Sequence, residues 1–296
     1  MRLGLYALLL LAWLLAPGHL RVAGLFHDDG VIFSLGRSLL EGGIYRDLHS
    51  PEPIQIAKYP PGVPILVALA LAAGGGTEQA LSLLRIAYVF FLVAGLGALL
   101  GLLRREGGAI ARLAPVLVAA TALSPDVLDY LRVPMSEIPY TAITLVALYS
   151  LVRVEERSES PWRQAGLLGL LCVLAVVFRT VGAVLTASVA VHLLLAGRRA
   201  TAWRFGLLVL PALALVQLFV ATHAQPATGY EEITVYGLPY TSIWTGSLPW
   251  LPQIVYSNAV QSLLFTLQDL LPPVVVWLVG WGKTGWAALW VLALAA

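Results

Sequence analysis

A succession of long apolar runs constrains this chain more than any other feature. They lie at about residues 3–20, 81–103, 109–124, 138–152, 164–178, 181–196, 205–222 and 270–281, and a last run, 285–296, reaches the end of the sequence. A helical run of about 18 or more apolar residues matches the hydrocarbon thickness of a bilayer. Lipid offers no hydrogen-bond partner to a backbone amide, so a spanning segment is a helix or part of a closed barrel. Barrel strands alternate polar and apolar residues over short segments, and these runs do not alternate. Only 11% of the residues are charged, against about 25% in a soluble domain. The expected fold is an all-α, polytopic transmembrane bundle over a single domain, 1–296. The formal net charge of +2 gives no sign of a nucleic-acid partner. The single cysteine, Cys172, lies inside an apolar run, so no intramolecular disulfide is expected.

Basic residues favour the cytoplasmic side of a membrane. Four clusters are present: Arg2; Arg104 and Arg105; Arg153 with Arg157 and Arg163; Arg198 and Arg199 with Arg204. Placing all four inside requires an even number of crossings between Arg2 and Arg104. The runs 3–20 and 81–103 already supply two, the first being read as an uncleaved helix. The shorter run 61–73, after Tyr59-Pro60-Pro61-Gly62, is then expected to be re-entrant or to lie against the membrane; the rival reading is that it crosses, with a local breach of the positive-inside rule. The outside segments become 21–60, 124–137, the junction at Arg179 and the loop 223–253. Most of the carboxylates sit in or beside them, among them Asp28, Asp29, Asp126, Asp129, Glu137, Glu231 and Glu232. Within the first outside segment, Asp28-Asp29-Gly30 can cap a helix, where orphan amides and the helix dipole favour a carboxylate. Val31, Phe33, Leu35, Leu39 and Leu40 give that helix an apolar face ending at Gly42-Gly43, as in a helix lying along the membrane surface.

No metal-ligand motif, phosphate-binding glycine loop, nucleotide fingerprint or serine nucleophile elbow is present in the sequence. Any group to be transferred must therefore arrive on a carrier that the membrane itself delivers. Candidate residues gather at the outside boundary. Arg179 ends an apolar run with almost no loop after it, and an arginine there is costly unless it pairs or serves a site; Glu137 is a candidate ion-pair partner. Glu137 precedes Ile138-Pro139, and proline suits a first helical turn. Asp126 or Asp129 can share a role with Glu137, Arg132 is a further cation of the same turn, and Lys58 is one of two lysines. Tyr230-Glu231-Glu232 is a weaker acceptor candidate. Trp244 and Trp250 read as interface anchors.

Together, His27-Asp28-Asp29-Gly30, Gly36-Arg37-Ser38-Leu39-Leu40-Glu41-Gly42-Gly43, Tyr45-Arg46-Asp47 and Lys58-Tyr59-Pro60-Pro61-Gly62-Val63-Pro64 resemble the start of GT-C glycosyltransferases of the protein mannosyltransferase and aminoarabinose transferase type. Ser136-Glu137 and Arg179 with Gly182 continue the resemblance, which covers most of the chain. Each motif alone is weak; their order is what is specific. The resemblance implies an inverting transfer of a sugar from a polyprenyl-phosphate donor to an acceptor (lipid, glycan or protein) on the outer face of the cell membrane. Asp28 or Asp29 matches the family's base, with Asp29 slightly favoured as nearer the amino end of the surface helix. Lys58 and Arg179 would meet the lipid phosphate, and Tyr59, Glu137, Arg132 and Asp126 fall among the substrate-binding residues. No cofactor is implied with certainty, and a divalent metal is left open. Family members commonly carry more spans, so a chain ending inside an apolar run at Ala296 is expected to be truncated. The rival readings are a transporter or lipid flippase, and a non-catalytic membrane scaffold.

Overall fold

The computed structural model describes residues 27–42, 45, 48, 59–156 and 160–223. All lie within Met1–Tyr236, one of the two compact units into which the chain divides. The expected spans 3–20, 270–281 and 285–296 lie outside the described residues, as do Lys58, Tyr230, Glu231, Glu232, Trp244 and Trp250. Among the described residues the chain forms α-helices and no strands: α1 His27–Gly42, α2 Gly62–Gly74, α3 Thr77–Arg105, α4 Gly108–Ala122, α5 Pro125–Tyr130, α6 Glu137–Glu156, α7 Pro161–Phe178, α8 Gly182–Leu195 and α9 Arg199–His223. Four of them, α3, α6, α7 and α9, are long and apolar enough to cross a membrane. The runs 109–124 and 181–196 are the shorter helices α4 and α8. At 1.5 Å per residue these reach roughly 21–22 Å, less than a bilayer core of about 30 Å. Phe90, Leu170 and Leu210 are among many large apolar side chains on the bundle's exterior, a surface suited to lipid and not to water.

The long helices α3 and α6 run parallel, and their register follows from a ladder of contacts. Tyr88 Oη donates to the Met135 carbonyl at 2.7 Å. A Cβ on Gly95 would sit 2.9 Å from Ala142, and one on Gly101 would meet the Tyr149 ring. At the far end Arg105 makes a bidentate pair with Glu156 at 2.5 and 2.6 Å and lies over the Tyr149 ring. That same end carries Arg204 stacked on Trp162. It also carries a buried polar chain in which Thr201 Oγ1 donates to Gln164 Oε1. Basic clusters of the sequence therefore converge on one end of the bundle, and Glu137 marks the other.

The first three turns of α3 run past Met135, away from the Arg105 end. The helix α2 packs antiparallel to them. Its last turn is closed by Gly75 at φ +69°, whose N–H returns to the Leu71 carbonyl, a left-handed conformation that glycine adopts at no steric cost. Its first residue, Gly62, lies against the Val177 carbonyl and Phe178 at the end of α7, and Phe178 meets Phe91 of α3 edge-to-face. The segment 61–73 thus begins near the Glu137 level and runs outward from it. It does not run down the length of the bundle.

The helix α1 lies across α2, with Gly36 close against Val67 and Pro64. Its burial is broader than one apolar stripe. Val31, Ile32, Phe33, Ser34 and Leu35 are all buried, whereas Leu40, expected on the apolar face, is exposed. An amphipathic surface helix buries one face; burial here extends around more of α1, and α2 lies against it at Gly36.

Candidate active site

The bundle end marked by Glu137 gathers the candidate residues into three groups. The first is built on α1. Asp28 and Asp29 both fall in its first turn, so distance from the amino end does not separate them. Burial does. Asp29 is fully buried and its Oδ1 accepts from the Gly30 amide at 2.8 Å. Asp28 is half-buried, and its Oδ1 accepts from Tyr59 Oη at 2.5 Å. Tyr59 is itself held in place, since its carbonyl accepts from Tyr45 Oη at 2.6 Å.

The second group joins α6 to the α7–α8 junction. Arg179 Nη1 donates to Glu137 Oε1 at 2.7 Å, which is the ion pair anticipated from the sequence. Arg179 sits in extended backbone at the end of α7, its amide returning to Ala175. The turn that follows is very short: the Gly182 amide bonds back to the Arg179 carbonyl at 2.8 Å, and α8 begins there. Only a glycine fits at 182, because a Cβ would come within 2.4–2.6 Å of the backbone of Ala175 and Val176. Glu137 opens α6 with Pro139 in the first turn, so its carboxylate also faces the favourable end of the helix dipole. Its other oxygen, Oε2, is buried with no hydrogen-bond partner among the described residues. The Arg179 side chain is 42% exposed.

Asp126 and Tyr130, one turn apart on α5, belong to the same neighbourhood. Burial pushes the Tyr130 phenol up, and the Glu137 and Asp126 carboxylates push it further, while Arg179 opposes them. No sequence motif singles out Tyr130. Its signal, an aromatic directly after Asp129 in an outside turn, was there to be read.

The third group differs from expectation. Arg132 pairs with Asp129 at 3.4 Å, with its side chain largely buried. It lines a narrow cleft with Arg85, Tyr88, Leu131, Val133 and Pro134. Arg85 is 4% exposed; the sequence reading passed over it as part of the apolar run 81–103. A buried arginine near the end of a span is a strong functional signal in its own right.

Gly62 connects the first group to the second. Three residues after Tyr59, it packs on Val177 and Phe178, directly before Arg179. The Asp28–Tyr59 pair and the Glu137–Arg179 pair are thus carried to the same end of the bundle. No group of three or more His, Cys, Asp or Glu side chains able to hold a metal occurs among the described residues.

The fold has a known counterpart. The chain matches the crystal structure of ArnT from Cupriavidus metallidurans bound to undecaprenyl phosphate, with a TM-score of 0.52 and 17% identity over 85% of this chain. The described bundle therefore shares its helical membrane fold with that structure. The chain spans about half the length of that structure. No protein-family model and no curated protein sequence matches the chain.

Proposed function

We propose that this protein is a GT-C-type glycosyltransferase, which moves a sugar from a polyprenyl-phosphate donor to an acceptor at the outer face of the membrane. The observation that carries the reading is the convergence of a half-buried carboxylate, Asp28, and a partly exposed arginine, Arg179, on one end of a bundle with this fold. The acceptor hydroxyl attacks the anomeric carbon from the face opposite the phosphate. As that bond forms, the bond from the anomeric carbon to the phosphate oxygen breaks, and its electron pair stays on the phosphate. The hydroxyl proton passes to Asp28, the carboxylate of the pair that a substrate can approach; Asp29 is sealed in and braces the first turn of α1. A lipid phosphate leaves readily, so it needs charge neutralisation more than a proton. Arg179 supplies it, together with Lys58, and Glu137 holds Arg179 while its buried Oε2 awaits a donor from the acceptor.

Preorganised charge of this kind contributes typically 10²–10³-fold in rate per group, and a positioned base about 10²–10⁴-fold. The test is transfer from polyprenyl-phosphate hexose and pentose donors by the purified full chain, with membrane extract as the source of acceptor. Asp28→Asn is expected to lose at least about a hundredfold in kcat, and Asp29→Asn to act through stability. Wild-type transfer by Asp28→Asn overturns the assignment of the base.

A further inference from the structure

We propose that Tyr59 does not contact substrate but positions Asp28, and that Tyr45 in turn positions Tyr59, as a hydrogen-bonded relay from the bundle core to the carboxylate. The inference rests on Asp28 being the base and adds two residues to that machinery. The chemistry of the contacts leads to it. Tyr59 Oη donates to Asp28 Oδ1 at 2.5 Å, the short range of a bond to a charged acceptor. A phenol whose one proton is given to Asp28, on a residue only 8% exposed, has no donor left for a lipid phosphate.

Tyr45 completes the geometry. It is fully buried, and its hydroxyl donates to the Tyr59 carbonyl at 2.6 Å. Its ring meets Phe219 of α9 edge-to-face at 5.4 Å. Burial pushes the Tyr45 phenol up, so it stays a donor throughout the physiological range. The adjoining backbone is tied down as well, since the Leu48 amide donates to Ser34 Oγ of α1 at 2.7 Å. The order of contacts is therefore α9, Tyr45, Tyr59, Asp28. A carboxylate at the start of a helix can adopt several rotamers; a hydrogen bond from a residue that is itself anchored selects one. Misplacing a reacting group by about 1 Å can cost about a hundredfold in rate.

Two measurements test the relay. Infrared difference spectra between wild type and Asp28→Asn isolate the Asp28 carboxylate stretch without any substrate. Tyr59→Phe is expected to move that band, and Tyr45→Phe to move it less and in the same direction. A band unmoved by Tyr59→Phe overturns the relay, whatever the protein's activity. In the transfer assay with polyprenyl-phosphate hexose and pentose donors, Tyr59→Phe is expected to lower kcat about tenfold with KM for the donor unchanged. The double variant should lose no more than Tyr59→Phe alone, since both act through one carboxylate. A raised donor KM with kcat intact makes Tyr59 a substrate ligand and overturns the proposal. An inactive Asp28→Asn beside a fully active Tyr59→Phe overturns the relay alone; a fully active Asp28→Asn overturns the base beneath it. Thermal midpoints of each variant separate these effects from loss of fold.

Discussion

An arginine at the end of a membrane span persists only where something answers its charge. Glu137 answers Arg179 with one oxygen at 2.7 Å, and the arginine side chain stays partly exposed. The pair is only partly buried, so solvent screens much of its contribution to stability, and its value lies in where it holds the guanidinium. Glu137→Gln keeps the shape and removes the charge. It is expected to raise KM for the polyprenyl-phosphate donor about three- to tenfold, corresponding to about 0.7–1.4 kcal/mol, with a thermal midpoint close to wild type. Titrating the donor against the variant checks this, and an unchanged KM separates Arg179 from the donor. At this scale the sequence was readable where a lone charge flanks an apolar run, as at Glu137 and Arg179. It was opaque where a polar side chain finds its partner through the fold. Nothing local to Tyr45 says that its hydroxyl meets the Tyr59 carbonyl across a long segment, and Arg85 looks like one charge in a span until its burial is seen.

Among the elements, the short α7–α8 junction sets the height of Arg179. Gly182 lets α8 start against the backbone of α7's last turn. Adding one methyl there forces a shift of backbone and not of a flexible side chain. Gly182→Ala is expected to destabilise by about 1–3 kcal/mol, as overpacked sites do, and to displace Arg179, so that thermal midpoint and donor affinity fall together. A midpoint and affinity at wild-type values contradict this account of the turn. Helix positions were largely legible, because a run of apolar residues has one way to satisfy its backbone in lipid. The apolar runs from 81 to 222 each became a helix. What the pattern did not convey is how α1 is covered. A period of 3.6 marks one buried face, whereas Val31, Ile32 and Phe33, three consecutive residues of α1, are all buried.

Among the described residues, Arg105 and Arg204 lie at one end of the bundle and the candidate site at the other. The helix α2 stays with the site end, packed on the outward turns of α3. In a Cys172→Ser background, single cysteines at Gly75 and Arg105 are expected to label from opposite sides of the membrane, with Gly75 reached from outside. Labelling of both from one side contradicts the arrangement. The central claim is that the site end receives a lipid-carried phosphate, and native mass spectrometry of the purified full chain tests it without knowledge of sugar or acceptor. The account predicts that undecaprenyl phosphate binds with one equivalent per chain, in preference to phosphatidic acid, and that Arg179→Ala weakens it at least about tenfold. Binding no tighter than that of phosphatidic acid, or unchanged in Arg179→Ala, would contradict it.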